Sequence, residues 1–238
     1  MGKTKIEWCD YTINPVKGLC PVGCSYCYAR RMYKRFKWDK TIREDVTVYD
    51  QLDKMKAGSR VFIGSTIELF GDWVTPLMRS NIYHVCEMYP DLTFIFLTKR
   101  PQDLPKAFDD NCWVGVSATD YQSYMQASFK LLDIKARVKF LSFEPLLDEA
   151  VSERNPINGI CGINWLIIGQ QTPVSAKTTP KVEWVQEIVQ AADKAGVPVF
   201  LKNNLDKMIP HHCQDNVLGN LFRNANESLR QEFPHKGG

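Results

Sequence analysis

The chain has 238 residues, 44% hydrophobic and 24% charged, with a formal net charge of +3. It is long enough to bury a core without disulfide staples, and too ordinary in composition for a disordered or fibrous chain. No apolar run approaches 18 residues, Met1–Asp10 lacks a signal-peptide core, and Ile6 stands where myristoylation after Gly2 needs Ser or Thr, so a cytosolic, membrane-free protein is expected. In that compartment the eight cysteines are thiols or metal ligands rather than disulfides. The mild positive charge permits a nucleic-acid partner without requiring one.

Tyr11–Val16 predicts a short strand that leads into Cys20–Cys27, read C-P-V-G-C-S-Y-C. Three thiols at spacings of four and three residues can grip one soft metal centre from a single loop, and Gly18 and Gly23 let the backbone turn tightly around it. A [4Fe–4S] cluster usually takes four cysteines, so a loop of three leaves one iron open to another ligand. The alternative is structural zinc, which needs a fourth ligand from Cys9, His211, His212 or Cys213. Inert buried thiols are the bland reading, and three in eight residues beside Pro21 and Gly23 argue against it.

Helical sequence is expected from Ser25, with Ala29, Met32, Tyr33 and Phe36 at helical spacing. Arg30, Arg31, Lys34, Arg35, Lys37, Lys40 and Arg43 crowd the same stretch. They form either a solvated face or a phosphate-binding rim on which Tyr33 and Trp38 stack bases. A polar helix-like segment follows from Asp45 to Arg60.

Then a theme repeats. Apolar runs at 61–65, 93–98, 113–117, 137–143, 165–168 and 197–201 end in Ser65, Lys99, Ser117, Glu144, Gln170 and Lys202. With the first strand they make seven. Amphipathic stretches lie between most of them, clearest at 76–89 and 181–195, the latter stopped by Gly196. Continuous apolar strands separated by helices predict a parallel α/β sheet covered by helices. Polar residues gathered at strand C-termini favour a partial or complete (βα) TIM-type barrel over an open doubly wound sheet. One domain over 1–238 is expected, with the cysteine loop at 18–28 and a C-terminal cap at about 206–238. The cap's apolar patches are Leu218–Phe222 and Leu229–Phe233. His211-His212-Cys213 looks metal-like without an evident fourth ligand. Cys9, Cys86, Cys112, Cys161 and Cys213 are scattered and form no second cluster motif.

The Cys-x3-Cys-x2-Cys loop resembles the signature loop of the radical S-adenosylmethionine (SAM) enzymes. The likeness extends over nearly the whole chain: Thr4–Trp8, Asn14-Pro15, Phe96–Pro101, Gly115–Ser117, Leu141–Leu146 and Glu232–Pro234 together look like a radical SAM family of unknown function from phages and bacteria, known there simply as a phage protein. The resemblance implies the radical SAM fold. It also implies a [4Fe–4S] cluster on Cys20, Cys24 and Cys27 whose open iron chelates SAM, and reductive cleavage of SAM to methionine and a 5′-deoxyadenosyl radical. An external electron donor such as flavodoxin or ferredoxin is implied with it.

A more distant similarity, to the spore photoproduct lyases, implies that Ser65 holds the SAM amino group, Lys99 its carboxylate and Ser117 its ribose. An ammonium suits a carboxylate, and a hydroxyl both donates and accepts. Tyr26 is placed to pack on the adenine. Gly64 stands where those lyases carry a hydrogen-donating cysteine, so their repair reaction is not implied. Two further departures lie where substrate is expected. Gly169-Gln170-Gln171-Thr172-Pro173 replaces Gly-Gly-Glu-Ser-Gly, and Lys202-Asn203-Asn204-Leu205 replaces Lys-Gln-Trp-Gly. The substrate candidates are Glu68, Arg100, Glu144, Gln170, Gln171, Lys202 and Asn203, and the expected substrate is a nucleic acid or nucleotide. Rival readings are a radical SAM reaction on a peptide or small metabolite, a non-catalytic zinc-containing nucleic-acid-binding module, and an iron–sulfur electron carrier.

Overall fold

A computed structural model describes residues 4–151 and 162–234. Gly2, Cys161 and the last residues of the expected cap lie outside the described residues. The fold is mixed α/β. Its strands form a seven-stranded sheet and a separate two-stranded one. Contacts divide the chain into two compact units. One runs to Val114 and takes in Lys135–Arg137; the other holds Gly115–Ile134 and the chain from Val138 onward.

The first unit contains β1 (Tyr11–Ile13), β2 (Val16–Lys17), α1 (Tyr28–Phe36), β3 (Arg43–Glu44), a 3-10 helix over Val46–Lys54, β4 (Arg60–Ile63), α2 (Pro76–Met88) and β5 (Thr93–Thr98). β1 pairs in parallel with β4, and β4 with β5. β4 and β5 are apolar and mostly buried, as strands covered on both faces should be. Pro76 opens α2 where a missing N–H costs nothing, and the Thr75 hydroxyl accepts from the Met78 N–H. The rings of Phe70, Tyr83, Phe96 and Phe108 meet with centroids 5.7–6.3 Å apart, an aromatic cluster on the unit's core.

Three local expectations need correction. The strand expected over Tyr11–Val16 breaks at Asn14-Pro15, because proline has no N–H for a ladder. Val16–Lys17 instead joins β3 in the small antiparallel sheet. The helix expected from Ser25 starts at Tyr28, because Cys24–Cys27 is a turn closed by the Cys27 N–H on the Cys24 carbonyl at 3.1 Å. The helix-like segment expected from Asp45 to Arg60 is present but shorter, a 3-10 helix over Val46–Lys54 capped by the Asp45 carboxylate accepting from the Thr47 N–H.

β6 (Cys112–Ser117) begins in the first unit and ends in the second. The second unit adds α3 (Tyr121–Leu132), β7 (Val138–Phe143), β8 (Trp165–Ile168), α4 (Val182–Ala195), β9 (Val199–Leu201) and α5 (Asn216–Phe222). β7, β8 and β9 pair in parallel. A reciprocal capping box between Asp120 and Ser123 starts α3, and Gly196 stops α4 at φ +67°. Trp165 gathers Phe140, Phe200 and Phe233 at 5.4, 6.1 and 5.5 Å.

The patch expected at Leu229–Phe233 covers an edge. Leu201 donates to the Arg230 carbonyl and Glu232 to that of Val199, so the tail lies antiparallel along β9. That satisfies a row of backbone groups otherwise open to a foreign strand. The strand order of the large sheet is β1-β4-β5-β6-β7-β8-β9. That order is compatible with the expected partial (βα) barrel.

Candidate functional site

In the first unit, the loop from Gly18 to Cys27 is held at both ends. Gly18 sits at φ +125°, and a Cβ there would lie 2.7 Å from the Ile42 Cα, so no other residue fits this turn. Its N–H donates to the Tyr33 hydroxyl at 2.9 Å, and Arg30 Nη2 donates to the Cys20 carbonyl at 2.7 Å. Gly23 sits at φ +72° inside the loop. All three cysteines are partly buried free thiols. Burial pushes the Cys20 thiol up from its ordinary value, against backbone N–H groups of Glu68 and Val22 that reach its sulfur and favour the thiolate. The nearby charges of Glu68 and Cys27 push it up further.

Glu68 therefore faces two ways. Its N–H reaches Cys20, while its buried carboxylate gathers three donors. Oε1 accepts from the Thr98 hydroxyl at 2.6 Å and the Phe70 N–H at 3.1 Å, and Oε2 accepts from the Lys99 N–H at 2.9 Å. One residue thus ties the cysteine loop to the end of β5. Thr98 also accepts from the Arg100 N–H at 2.9 Å. Sequence reading singled out Glu68 as a substrate candidate; the geometry adds this clamp, which a Glu followed 30 residues later by Thr-Lys does not announce.

Ser65 follows β4 and lies beside the loop. Its hydroxyl donates to Asn14 Oδ1 at 3.2 Å, and the same oxygen accepts from the Thr66 N–H and hydroxyl at 3.1 Å each. The Ser65 carbonyl accepts from the Tyr28 hydroxyl at 2.6 Å. With its proton committed to Asn14, the Ser65 oxygen is left to accept, the role an ammonium ligand asks of it. Asn14 escaped the sequence reading as a site residue, although it stood in the Asn14-Pro15 motif. The Lys99 side chain is exposed at the end of β5. Arg100 turns to Asp103 at 2.5 Å and lies 5.5 Å from the Trp73 ring, with Asp103 holding its guanidinium above the ordinary value. Tyr26 is partly buried within the loop.

In the second unit the polar set stands at the ends of β6 to β9. Ser117 is buried at the end of β6. Alternation along β7 and parallel register put Ser142 and Glu144 on the face shared by Phe140, Ile167 and Phe200. Glu144 and Lys202 form an ion pair. The Lys202 stem crosses Gly169, where a Cβ would meet its Cδ at 2.8 Å, so glycine is needed for this approach. Gln170 is buried and locked to Asn204: its side-chain amide donates to the Asn204 carbonyl, and Asn204 Nδ2 donates to the Gln170 carbonyl at 2.7 Å. The Ser142 hydroxyl and Gln170 Oε1 are buried with no partner among the described residues. Gln171 is partly buried, and Asn203 accepts from Gln231 Nε2 at 2.9 Å. Asn204 and Ser142 were not singled out in the sequence, though both stood in quoted motifs.

The donor set suits a soft iron–sulfur centre: three thiols on one loop, two backbone N–H groups aimed at one sulfur, and two thiols that feel each other's charge. Among the described residues no three His, Cys, Asp or Glu side chains converge on one point, so holding a cluster requires the loop thiols to be drawn together. The other metal-like residues go elsewhere. His211 and His212 both pair with Glu227, at 3.0 and 2.8 Å, and Cys213 is exposed. Cys86 and Cys112 meet as buried thiols, with burial pushing Cys86 well above its ordinary value.

Among the described residues no helix is long and apolar enough to cross a membrane. No curated protein and no solved structure matches the chain. Residues 3–224 match the profile of a family described as protein of unknown function (DUF5131), and the chain belongs to that family.

Proposed function

We propose that the protein is a cytosolic radical SAM enzyme with a partial (βα) barrel, acting on a nucleic acid or nucleotide. The observation that carries the reading is the Cys20–Cys27 loop with Glu68 behind it. A three-thiol loop is tied through one buried glutamate, by its N–H to Cys20 and by its carboxylate to the Lys99 N–H, to the strand end that presents Lys99. When bound, a [4Fe–4S] cluster supplies the electron that splits SAM and so generates the radical that attacks substrate.

The chain's own residues do the rest. Cys20, Cys24 and Cys27 hold the cluster. Ser65, its proton given to Asn14, accepts from the SAM ammonium. Lys99, its backbone fixed by Glu68, meets the SAM carboxylate as a point charge. Ser117 and Tyr26 take the ribose and the adenine. Glu144, Lys202, Gln170, Gln171 and Asn203 are the second unit's candidates for substrate, and in that unit Ser142 and Gln170 each keep a hydrogen-bonding atom unused among the described residues. Arg100 is a weaker candidate, being turned to Asp103.

The test is SAM cleavage. Protein purified without oxygen, reconstituted with iron and sulfide and then reduced, is expected to form 5′-deoxyadenosine from SAM, and Cys24→Ala to form none. Protein that takes up one zinc and no iron would contradict the reading and move the weight to a binding module.

A further inference from the structure

The cations of this chain are unevenly spread. Arg30–Arg43 holds seven basic residues and one acidic one, net +6 against +3 for the whole chain, so the remainder is net −3. Within this stretch Lys34, Arg35, Lys37 and Lys40 are exposed, and none makes an ion pair among the described residues. Interleaved with them are exposed aromatic rings. Phe36 and Trp38 are 51% and 41% exposed, although rings of that size usually seek cover. They stack on each other with centroids 5.5 Å apart and planes 23° apart. Lys37, left-handed at φ +53°, turns the chain between them, and Tyr33 buttresses Trp38 edge-on at 5.3 Å.

We propose that α1 and its exit turn form a docking ridge for a single-stranded nucleic acid, with phosphates on Lys34, Arg35, Lys37 and Lys40 and a base stacked on the Phe36–Trp38 platform. Flat aromatic faces beside cations that make no ion pair among the described residues, with Arg35 itself 5.3 Å from the Phe36 ring, are what unstacked bases and a phosphate backbone require. A duplex would offer its phosphates but keep its base faces covered. A lipid surface fits less well. An interfacial helix presents a broad apolar face, whereas the apolar side of α1, Ala29 and Tyr33, is turned inward and buried.

The ridge is anchored to the cysteine loop by Gly18 to Tyr33 and Arg30 to Cys20, and to the end of β4 by Tyr28 to Ser65. A strand laid on it runs beside the candidate active site. The proposed function bears only on what is then done to the strand; the binding stands independently of it.

Each of the exposed Lys34, Arg35, Lys37 and Lys40 can neutralise one phosphate. Four neutralised phosphates predict a slope of about −3 in log affinity against log salt. The experiment is fluorescence anisotropy of labelled oligothymidine and oligouridine with the full chain, over a salt series, beside a duplex and phosphatidylserine-containing vesicles. The single strands are expected to bind with that slope. Lys34→Ala with Lys40→Ala should reduce the slope by about 1.4, and Trp38→Ala should weaken binding roughly 5- to 150-fold while Trp38→Phe retains most of it. Lys194→Ala, on the exposed last turn of α4, should change nothing. Absent or salt-independent oligonucleotide binding overturns the proposal, as does binding to vesicles alone. A SAM-cleavage assay on the same protein separates the claims. Cleavage without strand binding sinks the ridge and leaves the radical chemistry; strand binding without cleavage supports the ridge and sinks the chemistry.

Discussion

Two sets of strand ends carry the polar residues of this protein, and they use them differently. After β4 and β5, the hydroxyl of Ser65, the hydroxyl and N–H of Thr66, the Thr98 hydroxyl and the Lys99 N–H all end on two side chains, Asn14 and Glu68. After β7, β8 and β9, Glu144 and Lys202 satisfy each other, while the buried Ser142 hydroxyl and Gln170 Oε1 have no partner among the described residues. The first arrangement fixes backbone around the cysteine loop. The second leaves hydrogen-bonding capacity at a buried place, which costs stability unless a ligand or water uses it. Holding a cofactor asks for the first; accepting a variable substrate asks for the second.

The comparison breaks first at Glu68. Glu68→Ala leaves the Thr98 hydroxyl and the Lys99 and Phe70 N–H groups without their acceptor, and should cost about 3 kcal/mol in urea unfolding. Glu68→Gln, which keeps one acceptor oxygen, should cost visibly less. Equal, small losses from both would show that the clamp is not what holds this end. The Glu144–Lys202 pair is next. Lys202→Met alone should destabilise by about 2 kcal/mol by leaving a half-buried carboxylate unpaired, and Glu144→Gln with Lys202→Met should recover much of it. Additive losses would mean that the two charges do not depend on each other.

A milder effect follows from Asp45. Lys17 first, and Thr47 second, hold its carboxyl at about 2, below the ordinary carboxylate value. A pKa depressed in the folded state contributes stability above the unfolded value, roughly 3.9 for Asp, that is lost as pH falls through the folded one. Urea midpoints of wild type and Asp45→Asn should therefore converge between about pH 4 and pH 2, the variant lacking that part of the acid limb. Parallel profiles would contradict the pairing. Smallest of all, Ser142→Ala removes an unsatisfied buried hydroxyl and should change stability by less than ~1 kcal/mol, in the favourable direction. A loss well beyond that would mean the hydroxyl is satisfied after all.

These effects show why the sequence was legible in some places and opaque in others. Strand runs such as Phe94–Leu97 and Trp165–Ile168 are continuous apolar stretches, and their pattern alone marks them as strands buried on both faces. Gly18 and Gly23 were legible because glycine takes positive φ without strain, and at Gly18 a Cβ would also clash with Ile42. The clamp at Glu68 was not, since a carboxylate that binds backbone reads the same in sequence as one that binds substrate. Asn14 was hidden likewise, because its partners lie 51 and 52 residues away. The break at Pro15 was present in the letters and outweighed by the apolar residues around it. The pairing of Gln170 with Asn204 depends on the register of β8 against β9, which no local pattern encodes.

The central claim is that the Cys20–Cys27 loop holds a cluster with one iron open to SAM. Its most direct test is the electron paramagnetic resonance spectrum of the reduced, reconstituted protein before and after SAM is added. The account predicts a [4Fe–4S] signal that shifts on addition of SAM and is absent from Cys24→Ala. A signal that ignores SAM would contradict it and leave an electron carrier in its place.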